Sequence, residues 1–323
     1  MIIDIPYYED NTRISNSAIG WFLNKGPAYF HNKLSGLVED EKTSAMDKGT
    51  MIHMYLLQPH EFKEHYKVWT HNRPSSTNQE KFVQALVDSV EIEPDKALIS
   101  AYKSAYSTSN LSDDKVLQKA KEVKNSLSEY ILQMEMKSKT ETLISMSDYV
   151  KVNKIYENIQ SHKLAKELLE PTCGKTFHEF HINWDYNGLP CKSLLDSVNF
   201  DYDAHICTIM DLKTTVKIGH FEDSVNQYDY TRQLMFYTEA VRWYIKNELH
   251  EDPYSWEFKW YIIAIDTVSD GEIRVFKFDY SQLILAGAKI ESAINDIKWH
   301  FDNNLWDYRR EYYEGDGAET LNL

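Results

Sequence analysis

The pattern of apolar and polar positions divides the chain near residue 171. Before that point apolar residues recur at three and four, the spacing of one helix face. "RISNSAIGWFLNKGPAYFHNKL" offers Ser15 or Ser17 as an N-cap before Ile19, Phe22 and Leu23, and Gly26-Pro27 closes that helix and opens a short second one. In "SAMDKGTMIHMYLLQPHEF" the residues Met46, Ile52, Tyr55 and Leu56 recur at helical spacing, His53 sits inside the apolar stretch, and Pro59 ends the helix. A polar loop, "NRPSSTNQEK", precedes a helix at "FVQALVDSV", and residues 111–169 read as mostly helical with solvated charged faces.

After Pro171-Thr172 the period becomes two. "KTFHEFHINWDYNGLPCKSLLDSVNF" alternates about Asn187-Gly188, a strong hairpin signal, and a second turn at "DYDAH" leads into "CTIMDLKTT", completing a meander of three strands. "YDYTRQLMFYTEAVRWYIKNEL" predicts a long helix, "WEFKWYIIAIDT" and "EIRVFKFD" two more strands, and "SQLILAGAKIESAINDIKWHFDNN" a final helix. Strands set between helices imply an α/β or α+β fold with a central mixed sheet. The expected organisation is one domain over residues 1–323: N-terminal helices carrying His53 in 1–70, a mostly helical elaboration in 72–170, and the sheet with its flanking helices in 171–323.

Composition narrows the function classes. The hydrophobic share of 42% is enough to fill a core over 323 residues. Cys173, Cys191 and Cys207 fit neither a disulfide framework nor a C-x-x-C metal knuckle, and fall short of the four thiolates of an iron–sulfur cluster. "MIIDIPYYED" has no basic start, and no window approaches the ~18 apolar residues of a membrane span. The expectation is a soluble, cytoplasmic protein with no membrane partner. A net charge of −15 argues against coating nucleic acid through bulk positive charge. It leaves room for a local basic groove, because exposed charges are screened beyond roughly 8–10 Å.

Asp211 and Lys213, two apart on a strand, emerge on one face at a sheet end. Asp196 lies on the preceding strand, and a tight antiparallel return brings it within reach of Asp211. Two carboxylates side by side are unfavourable unless a cation neutralises them, so their convergence points to a divalent metal.

An acid followed by acid-x-lysine on the adjacent strand resembles the PD-(D/E)XK nuclease superfamily. "GTMIHMYLLQP" is similar to the G-x-x-x-H helix motif of its RecB-like and phage-type exonuclease VIII (RecE-like) branch, and "YTRQLMFYTEA" to that branch's Q-x-x-x-Y helix. The similarity runs from about residue 13 to 245, counting "NSAIGWFLNKGPAYFHNKL" and "ISMSDYVKVNKIYENIQSHKLAKELL". The ordered set of motifs carries it, since each motif alone is common. Asp211 stands where many members carry Glu, and "LLDS" surrounds Asp196 in place of Pro-Asp; both lie within the branch's variation.

The resemblance implies a restriction-endonuclease-like core with a helical insertion. It also implies a Mg²⁺ site, with Mn²⁺ as a substitute, ligated by His53, Asp196, Asp211 and the Leu212 carbonyl. Lys213 would position the attacking water or help deprotonate it. Gln233 and Tyr237 would orient the nucleophile or the phosphate, Thr214 and Thr215 of "LKTT" would bond phosphate oxygens, and Arg232 would touch the DNA backbone. Glu179 in "FHEFHINW" is a further candidate carboxylate; His178 and His181 are assigned to structure, and Trp21 and Phe22 to the core.

The activity so implied is a metal-dependent DNA exonuclease working from duplex ends, 5′ to 3′, in phage-type recombination or replication. It would form a homo-oligomeric ring and partner a single-strand annealing protein. The same core fits a structure-specific or restriction-like endonuclease, because end specificity lives in oligomer geometry and loops. A non-catalytic DNA-binding module on a decayed nuclease fold would lack at least one of His53, Asp196, Asp211 and Lys213, and all four are present.

Overall fold

The computed structural model describes residues 6–39, 43–69, 73–108, 110–136 and 141–318; the polar loop expected from Asn72 therefore begins outside the described residues. The first elements are α1 (Asn16–Lys25), α2 (Pro27–Leu34), α3 (Ser44–Leu57), α4 (Pro59–His65) and β1 (Tyr66–Trp69). Then come α5 (Thr77–Val87), α6 (Pro94–Ala105), α7 (Asp113–Ser126), α8 (Ser128–Met136), β2 (Thr142–Ser145), α9 (Met146–Ser161) and α10 (Lys163–Leu169). The sheet and its helices follow as β3 (Lys175–Tyr186), β4 (Leu189–Asp201), β5 (Ile206–Thr215), α11 (Phe221–Gln227), α12 (Tyr230–Asn247), β6 (Glu257–Asp266), β7 (Ile273–Phe278), α13 (Tyr280–Asn303) and α14 (Arg310–Glu314). The chain forms two compact units, Met1–Gln58 with Val152–Leu323, and Pro59–Lys151.

The first unit is built on a five-stranded mixed sheet in the order β3-β4-β5-β6-β7. Asn187 and Gly188 take φ of 53° and 84°, the left-handed pair that a two-residue hairpin turn requires, and Tyr186 pairs with Leu189 across it. β5 and β6 run parallel while their outer neighbours are antiparallel. A parallel pair needs a crossover, and α12 lies in the connection between them.

Leu234, Phe236, Ala240, Val241 and Ile245 of α12 are buried in the same core as Ile182 and Trp184 of β3, with the Trp184 and Phe236 rings 4.9 Å apart. Trp260 Nε1 of β6 donates to Thr238 Oγ1 at 2.7 Å, and that hydroxyl donates to the Leu234 carbonyl at 2.8 Å. A buried polar group left unpaired costs about 1–3 kcal/mol, so this relay fixes the rotation of α12 over the sheet. Ile262, Ile263, Ala264 and Ile265 are all fully buried, as expected of a strand covered on both faces.

Ser15 Oγ caps α1 by accepting from the Ala18 N–H at 3.2 Å. Just before it the chain bonds to β4: the Ile14 N–H donates to the Pro190 carbonyl, and the Lys192 N–H to that of Ile14, both at 2.9 Å. In α3 the buried residues are Met51, Ile52, Leu56 and Leu57; Met46, expected on that face, is 55% exposed because it lies in the first turn, short of the core.

The second unit has its own apolar core, with Phe82, Leu98, Val116, Ala120 and Ile131 from α5–α8. It also holds a parallel pair the sequence pattern did not predict, β1 with β2 in register Tyr66↔Thr142 to Trp69↔Ser145. Four residues per strand are too few for an alternation to emerge.

Candidate active site

The ladder between β4 and β5 ends at the pair Ser197↔Met210. The next residues in that register are Asp196 and Asp211. Past the last rung of that ladder the Leu212 N–H donates instead to Asp196 Oδ2 at 2.7 Å. The opening of the sheet therefore holds one carboxylate in place with a backbone amide.

His53 comes to this edge from α3, its Nδ1 3.6 Å from Asp196 Oδ2. Gly49, one turn earlier, lets α3 lie close to β5: a Cβ there would stand 3.3 Å from Thr214 Oγ1. The spacing of the glycine and histidine in "GTMIH" thus has a packing cause.

Glu179 completes the cluster from β3. It lies opposite Asp196 in the β3–β4 register and has φ of 49°, a left-handed conformation inside a strand. The break shows in the packing: Phe177 and Phe180, three apart, both face the core, with Ile182 and Trp184 continuing the second phase. β4 changes phase at the same point, with Leu195 and Val198 both buried in that core. The double slip aims Glu179 and Asp196 together at the cleft. One ligand atom each from His53, Glu179 and Asp196 falls within 4.8 Å of the others. Oxygen-preferring divalent cations hold ligands at roughly 2.0–2.6 Å, so donors at this spacing fit around one ion.

Asp211 has other partners. It is 1% exposed, with Lys213 Nζ 2.5 Å from its Oδ2 and Gln233 Nε2 donating to its Oδ1 at 3.0 Å. The same amide donates to the Tyr237 hydroxyl at 2.9 Å. Gln233 and Tyr237, one turn apart on α12, therefore converge on Asp211. Among the described residues the three-donor cluster includes Glu179 and leaves Asp211 just outside it.

The electrostatics follow from burial. Burial pushes the Asp211 carboxyl up to about 6, against the pull of Lys213 and with the repulsion of Asp196. Asp196 is raised by burial as well, while Lys213 and the Leu212 amide oppose the rise. Burial favours the neutral amine of Lys213, but Asp211 and Asp196 outweigh it and hold the pKa above the usual lysine value. His53 is pushed down to about 4 by burial and by Lys213, so its imidazole is neutral and offers a lone pair. His53, Glu179, Asp196 and Lys213 line an open cleft of about 900 Å³, shared with Tyr7, Tyr8, Trp21, Thr214, Tyr228 and Tyr230.

Two residues expected to meet substrate have other partners. Arg232 is 4% exposed, its Nε donating to Asp229 at 3.1 Å and its NH1 to the Asn16 carbonyl at 2.6 Å. It ties the start of α1 to the start of α12, where a buried guanidinium needs such partners. Thr215 accepts the Lys217 N–H on its Oγ1 and the Thr267 N–H on its carbonyl, so it shapes the turn after β5. Phe22 is buried, whereas Trp21 is half-buried at the edge of the core and lines the cleft. His181 is paired with Asn183 at 3.0 Å.

A family model described as a PDDEXK-like domain of unknown function (DUF3799) matches residues 15–312. A crystal structure from Eubacterium rectale, titled "Putative exonuclease", has a similar fold, with a TM-score of 0.51 at 15% identity over 100% of this chain and 95% of that one. No curated protein sequence matches the chain.

Proposed function

Since this chain belongs to the DUF3799 family of PDDEXK-like domains, we propose that it is a divalent-cation-dependent nuclease that hydrolyses DNA from duplex ends, 5′ to 3′. The observation that supports it best is the grouping of His53, Glu179 and Asp196 within 4.8 Å beside a buried Asp211–Lys213 pair. The name given to the Eubacterium rectale protein agrees with an exonuclease, and the polarity rests on the motif resemblance to the exonuclease VIII branch.

The residues divide the work. A divalent cation, when bound, relieves charge on the scissile phosphate and makes water a better nucleophile. His53, Glu179 and Asp196 would hold it, with Asp211 as the further carboxylate beside them. Imidazole among oxygen donors suits Mn²⁺ as well as Mg²⁺. Lys213 acts as a cation facing the phosphate and orients the water that attacks phosphorus. Gln233 fixes one Asp211 oxygen beside the site, and Tyr237 holds the Gln233 amide in place. Thr214, on the cleft wall, donates to a phosphate oxygen. A ring of subunits and a single-strand annealing partner complete the proposed setting in recombination or replication.

Digestion of linear duplexes labelled at the 5′ or the 3′ end, beside a closed circle, tests the reading. We expect metal-dependent release from linear DNA only, the 5′ label first, abolished by chelator and reduced at least about 100-fold by Lys213→Ala. Cutting of the closed circle would make the protein an endonuclease. Binding without cleavage at any metal concentration would sink the enzymatic reading.

A further inference from the structure

The cleft carries more aromatic surface than phosphodiester hydrolysis needs. Tyr228 stacks on Tyr230, with ring centroids 5.8 Å apart and planes 24° from parallel, yet remains 56% exposed. The Tyr230 ring in turn lies 5.0 Å from Lys213 Nζ, which contacts Asp211. The rings thus form a stair from solvent down to the lysine.

On another wall Tyr8 is 82% exposed, and its position is built. Lys192, 7% exposed, donates from Nζ to the carbonyls of Tyr7 and Asp10, on either side of it. Asp10 accepts from the N–H and Oγ1 of Thr12 and from Arg13, closing the turn. The Ile14 bridge to Cys191 fastens the end of the segment to β4. A tyrosine that anchored and that exposed has a face prepared for something absent from the chain. Tyr8 lines the same cleft as Glu179 and Asp196.

Bases inside a duplex have both faces covered by their neighbours, so protein rings that stack on bases select unpaired ones. Resting on the nuclease reading of this cleft, we infer that Tyr8 and the Tyr228–Tyr230 stair are base-stacking platforms on either side of the cleavage site, so the strand that reaches it is single. A duplex end would have to fray before it is cut. A base laid on Tyr228 extends a stack that ends beside Lys213, where the strand's phosphate is wanted.

The test uses a short single-stranded oligodeoxynucleotide carrying one 2-aminopurine, and a blunt duplex with 2-aminopurine at its 5′ end, both with Ca²⁺ in place of Mg²⁺. The full-length wild type should quench the single strand on binding. At the duplex end, which is dim when stacked, it should change the fluorescence as the base leaves its neighbour. Tyr8→Leu and Tyr228→Leu should each weaken single-strand binding roughly 5- to 150-fold, the range for losing one stacked base, and Tyr228→Phe should restore it. Equal binding by wild type and both leucine variants would overturn the inference, as would a duplex end whose fluorescence is unmoved by wild type.

The nuclease reading is judged separately, by metal-dependent digestion with wild type. Digestion with no ring dependence removes the platforms and leaves the nuclease. Ring-dependent binding with no digestion does the reverse.

Discussion

At the scale of single residues, the site is a set of charges that oppose one another until a cation arrives. Asp211 has its pKa raised to about 6 in the folded protein, and Asp196 is raised too. A carboxyl raised above its unfolded value gives stability at low pH, and that contribution is lost as pH climbs through the folded pKa. His53 works the other way: lowered to about 4, it stays neutral in the folded protein where the unfolded chain would take up its proton, so its contribution rises with pH over the same window. Without metal, the two carboxyls should cost stability between about pH 4 and 6 while His53 offsets that cost, and a divalent cation should stabilise the site only where the carboxylates are ionised. Thermal unfolding with excess Mn²⁺ should show a rise of several degrees near pH 7.5 and almost none near pH 5. An equal rise at both would mean the ion binds elsewhere. Asp196→Asn and Glu179→Gln should abolish most of the rise, with the metal-free protein no less stable than wild type, because each removes one of two half-buried like charges set side by side. Lys213→Ala should keep the rise while losing cleavage, which separates binding the ion from using it.

At the scale of elements, what could be read from the chain was what local chemistry dictates. Asn187-Gly188 sets its own turn, and the antiparallel return that follows places Asp196 opposite Asp211 whatever else surrounds them. Other features depend on what an element meets. A helical period names the face of α12 but not that Arg232 would be taken up by Asn16 and Asp229. The share of Glu179 in the cluster was legible only through an oddity: Phe177 and Phe180 are both apolar although three apart, which a strand allows only if its alternation slips between them. That slip costs energy. A side chain in the left-handed region is strained by about 1–2 kcal/mol, whereas glycine's added chain entropy costs about 0.5–1. Glu179→Gly should therefore melt no lower than wild type without metal while its metal-induced rise shrinks. A clear drop in melting temperature would show that the Glu179 side chain supports the fold. The strap before α1 makes the converse case, because Lys192 is buried and its ammonium serves two carbonyls. Lys192→Met leaves those acceptors without a donor, about 1–3 kcal/mol. It should open residues 6–13 to proteolysis while sparing the sheet, and equal resistance would show that the strap is held by the Ile14 bridge alone.

At the scale of the whole molecule, a net charge of −15 means that attraction for a polyanion must come from a few cations set close to the phosphate, within the screening length. Among the described residues, Lys25, Lys213 and Arg232 line the cleft, and Arg232 is already engaged by Asp229 and Asn16. The division into two units bears on stability in another way. The sheet-bearing unit encloses Phe200, Ile209, Phe236 and Ile262, all fully buried, and the other encloses Phe82 and Val116. Each has an apolar core that can lose its cooperativity on its own, so a single unfolding transition is not the default for this chain. His53, Glu179, Asp196 and Asp211 all belong to the unit formed by Met1–Gln58 and Val152–Leu323. A ligand stabilises only what it binds in the folded state, by about 2.7 kcal/mol at a hundred times its dissociation constant. Scanning calorimetry should therefore resolve two transitions, of which Mn²⁺ raises one and leaves the other where it was. Phe82→Ala should lower the metal-insensitive one, with a cost of about 3–5 kcal/mol for the cavity. One transition that moves as a whole with metal would mean that the two cores unfold as a single cooperative body, and a deletion within 59–151 should then weaken metal binding as well.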